Sequence, residues 1–311
     1  MNHPFKIVIA TRDSALALWQ ARYVETRLRA LYPRMQTQLL GMTTEGDRVQ
    51  GKPLAMIGGK GLFIKELEIA LASGQADIAV HSMKDMPMNL ASEFAVAAIT
   101  EREDPRDAFV SNAYRDLESL PPGSVIGTSS LRRESQLRAR FPRMRVEPLR
   151  GNVQTRLRKL DEGQYAGIIL AAAGLKRLGL SSRITAMLEP STSLPAVGQG
   201  ALGIECRSDR TDMIEALLAL DHPDTRWCVE AERAFSRALA GSCTVPLGGF
   251  AEIGGSSVRL RGFVASPDGS RLIHDELAAP RSGMPHDLGN AVAQRLIAKG
   301  AREILAGLNG L

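Results

Sequence analysis

The chain has few aromatic residues and few cysteines. Phe, Trp and Tyr make up 5% of its 311 residues, which leaves few rings on which single-stranded bases could stack. Cys206, Cys228 and Cys243 are odd in number, lie far apart and form no Cys-x-x-Cys pattern. The sequence therefore disfavours both a disulfide framework and structural zinc.

The N-terminus lacks a long apolar segment, because Lys6 and Arg12 interrupt it early. No signal peptide or membrane span is predicted, and we expect a soluble cytoplasmic protein without a membrane partner. The five histidines show no metal-ligand spacing, so no metal is predicted. His81 is interpreted as a structural hydrogen-bonding residue.

Positive charge is concentrated in residues 128–159. This stretch holds ten Lys or Arg against two Glu, a balance of +8 in a chain of net charge +5. It passes twice from a short apolar strand into a helical pattern, and the start of a helix attracts anions through its free N–H groups and its dipole. The arginines at these two helix starts are Arg132, Arg133, Arg150 and Arg156. Since guanidinium groups form forked hydrogen bonds with carboxylate or phosphate, we predict a ligand with several negative charges.

Two other interpretations of this stretch stay open. Some of its arginines can belong to a solvated helix face, and to this face we assign Arg138, Arg140, Arg143 and Arg158. A nucleic-acid-binding surface would also be basic, but such proteins usually spread their basic residues along a face or tail. We therefore expect one focused cationic cleft and no nucleic-acid partner.

Apolar runs of strand length alternate with helical patterns over most of the chain, which is typical of βαβ units. We predict an α/β fold of three domains, the last of them smaller and α+β. The predicted boundaries are 1–100 with 200–219 for domain 1, 104–195 for domain 2 and 221–311 for domain 3. The charged run 101–107 and the Pro- and Gly-bearing segment 190–200 are interpreted as crossings, after which residues 201–207 add a late strand to the first sheet.

The first helical pattern has a clear apolar periodicity. The residues expected on its buried face are Leu16, Trp19, Tyr23, Leu28 and Leu31. A helix with one apolar face packs that face against the sheet.

The segment His81-Ser-Met-Lys-Asp-Met-Pro follows a strand that ends near Val80, where sites in open α/β sheets usually lie. Ser82 with Asp85 three residues later has the pattern of a capping box, although Pro87 limits the helix that such a box would begin. Alternatively, Lys84 and Asp85 lie on a tight turn that faces a cleft, and Asp85 is a catalytic carboxylate.

The glycine-rich Gly58-Gly-Lys-Gly does not match the Walker pattern, because Leu54 stands where its first glycine belongs. The long polar segment before it, residues 43–54, is interpreted as a mobile lid that ends at Lys60. An ordinary flexible loop is the alternative.

Cys243 lies in a turn of small residues, Gly241-Ser-Cys-Thr-Val-Pro-Leu-Gly-Gly. An open thiol of this kind can act as a nucleophile or as a covalent attachment point. The alternative is a small buried apolar residue, an interpretation that suits Cys206 and Cys228 better because they lie in an apolar strand and on a helix.

Together these segments resemble the porphobilinogen deaminase family, also called hydroxymethylbilane synthases. The blocks that carry the resemblance are Ile9-Ala-Thr-Arg-Asp-Ser-Ala-Leu-Ala-Leu-Trp-Gln, Gly58-Gly-Lys-Gly-Leu-Phe-Ile-Lys-Glu-Leu-Glu, His81-Ser-Met-Lys-Asp-Met-Pro, Gly127-Thr-Ser-Ser-Leu-Arg-Arg, Leu149-Arg-Gly-Asn-Val-Gln-Thr-Arg-Leu, Leu194-Pro-Ala-Val-Gly-Gln-Gly and Gly241-Ser-Cys-Thr-Val-Pro-Leu-Gly. The resemblance implies two domains like those of bilobal periplasmic binding proteins, joined by a double crossover, and a smaller C-terminal α+β domain. Ser242 stands where the family pattern has a second glycine.

The resemblance also implies an activity. Cys243 would hold a dipyrromethane cofactor through a thioether, and four molecules of the substrate porphobilinogen would be added in turn with loss of ammonia. Hydrolysis would then release hydroxymethylbilane, an intermediate of tetrapyrrole and heme biosynthesis. Asp85 would be the catalytic carboxylate of this transferase, which is expected to be a monomer that passes its product to uroporphyrinogen-III synthase.

Each pyrrole of the growing chain carries two carboxylates, which would explain the concentration of arginine. The resemblance assigns cofactor binding to Ser82, Lys84, Asp85, Thr128, Ser130, Arg132, Arg133 and Arg150, besides Cys243. It assigns substrate binding to Arg12, Ser14, Phe63 and Arg156, and the end of the lid to Lys60. The alternative function is a non-catalytic bilobal anion-binding module, which would need neither Asp85 nor Cys243.

Overall fold

The computed structural model describes residues 6–48, 64–239 and 245–307. The chain forms two compact units, one within Met1–Glu103 and Ala201–Arg226 and the other within Asp104–Gly200 and Trp227–Leu311. The chain changes unit inside the first segment interpreted as a crossing, directly after the second, and again between Arg226 and Trp227. The division of the second unit into two domains stays a prediction.

The strands and helices are numbered in chain order. The strands are β1 Lys6–Arg12, β2 Gln36–Met42, β3 Ile78–Ser82, β4 Phe94–Ile99, β5 Asp107–Val110, β6 Val125–Gly127, β7 Arg145–Glu147, β8 Gly167–Ala171, β9 Ala186–Leu188, β10 Leu202–Arg207, β11 Leu247–Gly254, β12 Ser257–Ala265 and β13 Leu272–Pro280. The helices are α1 Ala15–Leu31, α2 Glu45–Arg48, α3 Lys65–Ala72, α4 Leu131–Arg140, α5 Val153–Asp161, α6 Ala172–Arg177, α7 Thr211–Leu217, α8 Pro223–Ala238, α9 Pro285–Ala298 and α10 Ala301–Ala306.

The first unit contains a mixed five-stranded sheet in the order β2-β1-β3-β10-β4. β1 runs parallel to β2 and β3, whereas β10 runs antiparallel to β3 and β4. The prediction that residues 201–207 add a late strand to this sheet is confirmed. Ile7, Ile9, Ile78 and Ile204 are fully buried in its core, as expected for strands covered on both faces.

The second unit contains a five-stranded sheet with an equivalent order, β7-β6-β8-β5-β9. β6 runs parallel to β7 and β8, and β5 runs antiparallel to β8 and β9. β5 follows the first crossing and holds the place that β10, after the second crossing, holds in the other sheet. In each sheet the three parallel strands therefore end at one common edge, where α/β sheets usually place their sites.

The second unit also contains an antiparallel three-stranded sheet, β11-β12-β13. The apolar runs at 258–265 and 272–278 predict the strands β12 and β13, whereas the glycine-bearing residues of β11 give no strand prediction. A Cβ on Gly249 of β11 would stand 2.8 Å from the aromatic ring of Phe235 on α8, and one on Gly248 would stand 2.5 Å from the ring of Phe263 on β12. The close approach of these rings to the backbone of β11 therefore requires glycine. Because glycine weakens the sequence pattern of a strand, β11 could not be predicted from that pattern.

The face that α1 buries differs from the predicted one. Its buried residues are Ala17, Gln20, Ala21, Val24 and Leu28. Trp19 and Leu31 are exposed instead, and Trp19 stacks on Tyr23 with ring centroids 5.5 Å apart. Only Leu28 of the five predicted residues is fully buried, because small side chains let the helix approach the sheet closely. Tyr23 is partly buried against the core, and the Trp19 ring lies outside it.

Within the described ranges, no helix is long and apolar enough to cross a membrane.

Candidate active site

The predicted site residues of the first unit follow the parallel strands of its sheet. Arg12 ends β1, Ser14 caps α1 by accepting a hydrogen bond from the N–H of Ala17 at 3.3 Å, and Ser82 ends β3. The side chain of Gln20 on α1 donates to Ser82 Oγ at 2.9 Å. The structure therefore brings these residues together at one edge of the sheet.

Asp85 lies on a single 3-10 turn, Met83–Asp85, directly after β3. The turn is anchored because Met83 and Met86 are buried and the N–H of Met83 donates to the carbonyl of Ala201 at 3.0 Å. Asp85 itself is exposed, and its carboxylate forms no hydrogen bond or ion pair with the residues that the structure describes. The turn thus presents an available carboxylate on a fixed backbone.

The capping-box interpretation of Ser82 and Asp85 is wrong. Ser82 is the N-cap residue of the turn, but its side chain makes no capping hydrogen bond. Its hydroxyl is instead the acceptor for Gln20. The alternative interpretation, a tight turn carrying Lys84 and Asp85, matches the observed backbone.

The strand that leads to Asp85 is held by a buried pair. His81 Nε2 lies 2.8 Å from Glu205 Oε2 on β10, and both side chains are almost completely buried. The interpretation of His81 as a structural hydrogen-bonding residue is confirmed. The pair ties the carboxyl end of β3 to the neighbouring strand, which limits movement of the turn that follows.

The first two predicted arginines of the second unit, Arg132 and Arg133, lie at the junction between β6 and α4. Thr128 is buried, and its Oγ1 accepts a hydrogen bond from the N–H of Ser130 at 3.2 Å. Ser130 is the N-cap residue of α4, and its side chain makes no capping hydrogen bond. Arg132 and Arg133 follow in the first turn, where they are 5% and 6% exposed.

Both of these arginines bind one buried carboxylate, that of Asp107, which is not among the predicted site residues. Arg132 Nη1 lies 2.8 Å from Asp107 Oδ2, and Arg133 Nη2 lies 2.8 Å from Asp107 Oδ1. Ser193 and Gln199 also donate hydrogen bonds to Asp107. Asp107 ends the charged run interpreted as a crossing, but its place before Ala-Phe-Val at the start of a buried strand is a sequence signal of an internal acid.

Burial and charge act in opposite directions on this cluster. Burial alone would raise the pKa of Asp107, but the charges of Arg132 and Arg133 outweigh it and hold this pKa well below its usual range. Burial also lowers the pKa of Arg132, and Asp107 offsets part of that effect. Two guanidinium groups on one carboxylate leave one net positive charge in a buried place, which suits an anionic ligand.

The junction between β7 and α5 carries the second pair of predicted arginines. Asn152 is the N-cap residue of α5, and its Oδ1 accepts from the N–H of Thr155 at 2.9 Å. Arg156 Nε donates to the carbonyl of Gly151 at 2.8 Å. Arg150 Nη1 is buried and has no hydrogen-bond partner within the described part of the chain.

Several other basic residues of the stretch form the solvated face that was predicted. Arg138 pairs with Glu134 at 2.8 Å and Arg158 with Glu162 at 3.4 Å, each along one side of a helix. Arg140 donates to the carbonyl of Ser191. Such exposed pairs add little to stability, and they separate these arginines from those at the helix starts.

Four predicted features lie outside the described residues: the lid beyond residue 48, Lys60, Phe63 and Cys243. Cys206 and Cys228 are both buried, as their sequence context indicated. Burial raises the pKa of the Cys206 thiol to about 11, which makes it a poor nucleophile at neutral pH. The described ranges contain no cluster of His, Cys, Asp and Glu that could hold a metal ion.

Comparisons with known proteins cover nearly the whole chain. The family model "Porphobilinogen deaminase, dipyromethane cofactor binding domain" matches residues 7–215, and "Porphobilinogen deaminase, C-terminal domain" matches residues 227–298. The porphobilinogen deaminase of Methylobacillus flagellatus is 62% identical over 308 residues, which are 99% of each chain. That of Nitrosomonas europaea is 65% identical over 309 residues, which are 99% of this chain and 100% of the other. The chain belongs to the porphobilinogen deaminase family.

Solved structures of lower similarity include the methionine-binding protein MetQ, at 12% identity and a TM-score of 0.46, over 76% of this chain and 95% of that one. The lipoprotein Tp32 from Treponema pallidum has 14% identity and a TM-score of 0.47, over 69% and 90%. The two mixed sheets, the double crossover between them and the C-terminal family model confirm the predicted α/β fold class.

Proposed function

We propose that the chain acts as the transferase that joins four porphobilinogen molecules head to tail on a bound dipyrromethane, with loss of ammonia, and releases hydroxymethylbilane by hydrolysis. The observation that carries this proposal is the family match over residues 7–215 and 227–298. The activity belongs to porphyrin biosynthesis. The alternative, a non-catalytic anion-binding module, is not favoured because relatives of the same length and more than 60% identity are porphobilinogen deaminases.

The residues of the second unit fit a cofactor that carries carboxylates. The buried Nη1 of Arg150 has no partner in the described part of the chain, and a buried guanidinium nitrogen is costly unless something accepts its hydrogen bond. When bound, dipyrromethane supplies the free pyrrole α-carbon to which the first substrate molecule is added, and its acetate and propionate groups are acceptors of the required kind.

We assign the catalytic role to Asp85. Loss of ammonia from the aminomethyl group leaves positive charge shared with the pyrrole nitrogen. An exposed carboxylate on an anchored turn can accept the pyrrole N–H, stabilise this charge and move protons between steps. Because the Asp85 carboxylate accepts no hydrogen bond from a described residue, both of its oxygens are available to the substrate.

The remaining assignments separate binding from chemistry. Arg12, Ser14 and Arg156 bind substrate carboxylates, and the ring of Phe63 stacks on a pyrrole. Cofactor binding belongs to Ser82, Lys84, Thr128, Ser130, Arg132, Arg133 and Arg150, and Lys60 ends the lid. Arg132 and Arg133 contribute the one net positive charge that Asp107 leaves uncompensated.

Cys243 is the proposed attachment point of the cofactor. The burial of Cys206 and Cys228 supports this choice, because a thioether to a large ligand needs an accessible thiol. We further propose that the protein is a cytoplasmic monomer whose product passes to uroporphyrinogen-III synthase. These last assignments rest on the resemblance to the family alone.

The test of the catalytic assignment is Asp85→Asn, which keeps the size of the side chain and removes its charge. We expect turnover of porphobilinogen to fall by about 10²- to 10⁴-fold, the usual contribution of a positioned acid–base group, while the melting temperature stays unchanged. Asp209→Asn is the matched control, since Asp209 is an exposed acid of the same unit that pairs only with Arg207 in the described structure. Turnover by Asp85→Asn equal to that of Asp209→Asn would remove Asp85 from its role.

A further inference from the structure

Gly151 has a backbone conformation that other residues avoid. It lies between Arg150 and Asn152 at the junction of β7 and α5, and its φ is +111°. A Cβ at this position would stand 2.6 Å from Cγ2 and 2.8 Å from Cβ of Thr155. An L-residue here would therefore meet both an unfavourable φ and a collision.

Thr155 cannot relieve this collision by rotating freely. Its Oγ1 donates to Asn152 Oδ1 at 3.0 Å, and its N–H donates to the same oxygen at 2.9 Å. These bonds fix its side chain to the cap of α5. Relief must therefore come from a movement of the peptide at residue 151 or of the first turn of α5.

Either movement would disturb the two arginines. The carbonyl of Gly151 accepts the hydrogen bond from Arg156 Nε at 2.8 Å, so a rotated peptide would release that guanidinium. The carbonyl of Arg150 accepts from Lys159 Nζ at 3.4 Å, which ties the residue before Gly151 to α5 as well. The backbone conformation of Gly151 thus determines the positions from which the side chains of Arg150 and Arg156 extend.

We infer that Gly151 is a positioning residue, which fixes Arg150 and Arg156 relative to each other so that both bind carboxylates of the growing pyrrole chain. This inference rests on the proposed function of the two arginines. The inference goes beyond that function because it attributes the relative position of the two arginines to the positive φ of Gly151 between β7 and α5. The unpartnered Nη1 of Arg150 indicates that the position of this side chain is set for a ligand, because no described protein acceptor sets it.

The chain offers a matched control at the other end of the same helix. Gly163 follows α5, has a φ of +76°, and a Cβ there would meet nothing within 4 Å. Gly163→Ala therefore introduces a side chain at positive φ without a collision and without a site residue attached. Comparison of the two variants separates the general effect of positive φ from the displacement of the arginines.

The experiment compares the full-length wild type with Gly151→Ala, Gly163→Ala, Arg150→Leu and Gly151→Ala/Thr155→Gly. Each protein is incubated with porphobilinogen, and three quantities are measured: the covalent mass increment after denaturation, KM with kcat, and the melting temperature. The double variant removes both atoms that collide with the new Cβ, so it keeps the φ of Gly151→Ala but not the collision.

We expect Gly151→Ala to lose covalent loading or to raise KM by at least about tenfold, since a displacement of about 1 Å at a binding group can cost 10²-fold. Gly163→Ala should load and turn over as the wild type does, and the double variant should recover part of the loss even if Gly151→Ala folds poorly. Loading and KM of Gly151→Ala equal to those of Gly163→Ala would overturn the inference, as would a double variant that folds well and recovers nothing.

Arg150→Leu distinguishes this inference from the proposed function. If Arg150→Leu loses loading while Gly151→Ala keeps it, the arginine assignment stands and the role of Gly151 is wrong. If Arg150→Leu loads and turns over as the wild type does, the arginine assignment is wrong, and the inference about Gly151 is overturned with it.

Discussion

The two strand-to-helix junctions of the second sheet carry the same kind of side chain in different electrostatic settings. At the first, Arg132 and Arg133 share the buried Asp107, with N–O distances of 2.8 Å. At the second, Arg150 has a buried Nη1 without a partner in the described structure. The β6–α4 junction therefore compensates one of its two arginine charges internally, whereas the β7–α5 junction has no acceptor for Arg150 Nη1 within the described part of the chain.

This difference separates two functions of arginine at a strand-to-helix junction. Charges that pair inside the protein hold the fold together, because removing one partner leaves the other buried and uncompensated. An arginine that lacks an internal partner does not stabilise the unliganded protein. It is instead a preorganised hydrogen-bond donor for the carboxylate of a ligand. We therefore expect substitution of an arginine at the β6–α4 junction to lower mainly the stability of the fold. Substitution of Arg150 at the β7–α5 junction should lower mainly ligand binding.

The largest effect on stability is expected from Arg133→Leu. This change removes one of the two ion pairs of Asp107 and a donor to the carbonyl of Ile169. Losing hydrogen bonds to a buried charged group typically costs about 1.5 to 3 kcal/mol in the free energy of unfolding. Urea denaturation of the cofactor-free protein measures it. Arg138→Leu is the control on the same helix, because its partly exposed pair with Glu134 should contribute only about 0.3 to 0.5 kcal/mol. Equal effects of the two substitutions would show that the Asp107 cluster does not support the fold.

A smaller effect is expected on the pH dependence of stability. The arginines hold the folded-state pKa of Asp107 below its unfolded value, so its contribution is complete above the unfolded pKa and is lost as pH falls toward the folded one. Below about pH 4, where an ordinary Asp begins to bind protons, the wild type should lose stability more steeply than Asp107→Asn. The slopes should differ by at most about 1.4 kcal/mol per pH unit. Chemical denaturation between pH 7 and pH 3 measures both, and parallel curves would contradict the assigned pKa direction.

The sequence predicted the parts of this arrangement that depend on local pattern. Most strands of the two mixed sheets, the late strand β10 and the positions of the arginines at helix starts follow from apolar runs, turn residues and charge. The edge that collects the site residues then follows from the parallel order of strands. Asp85 was placed after its strand for the same reason.

The sequence could not predict contacts between distant residues. Ser82 accepts its hydrogen bond from Gln20, 62 positions away, so the local capping pattern with Asp85 was misleading. Asp107 meets Arg132 and Arg133 only because β5 enters the second sheet beside β8. In α1, the apolar period favoured Trp19, but that ring stacks on Tyr23 outside the core, since periodicity does not distinguish a ring on a surface from one inside.

The most direct test of this account is the intact denatured mass of Arg150→Leu after incubation with porphobilinogen, measured beside its unfolding free energy. The wild type and Arg138→Leu should carry a covalent increment of two linked pyrrole units, and Cys243→Ala should have its calculated mass. We predict that Arg150→Leu lacks this increment or carries it in a small fraction, although its free energy of unfolding without cofactor does not fall, because the change removes a buried nitrogen that has no acceptor in the described structure. A full wild-type increment on Arg150→Leu, with wild-type addition of further pyrroles, would contradict the central claim that this arginine is kept for the ligand.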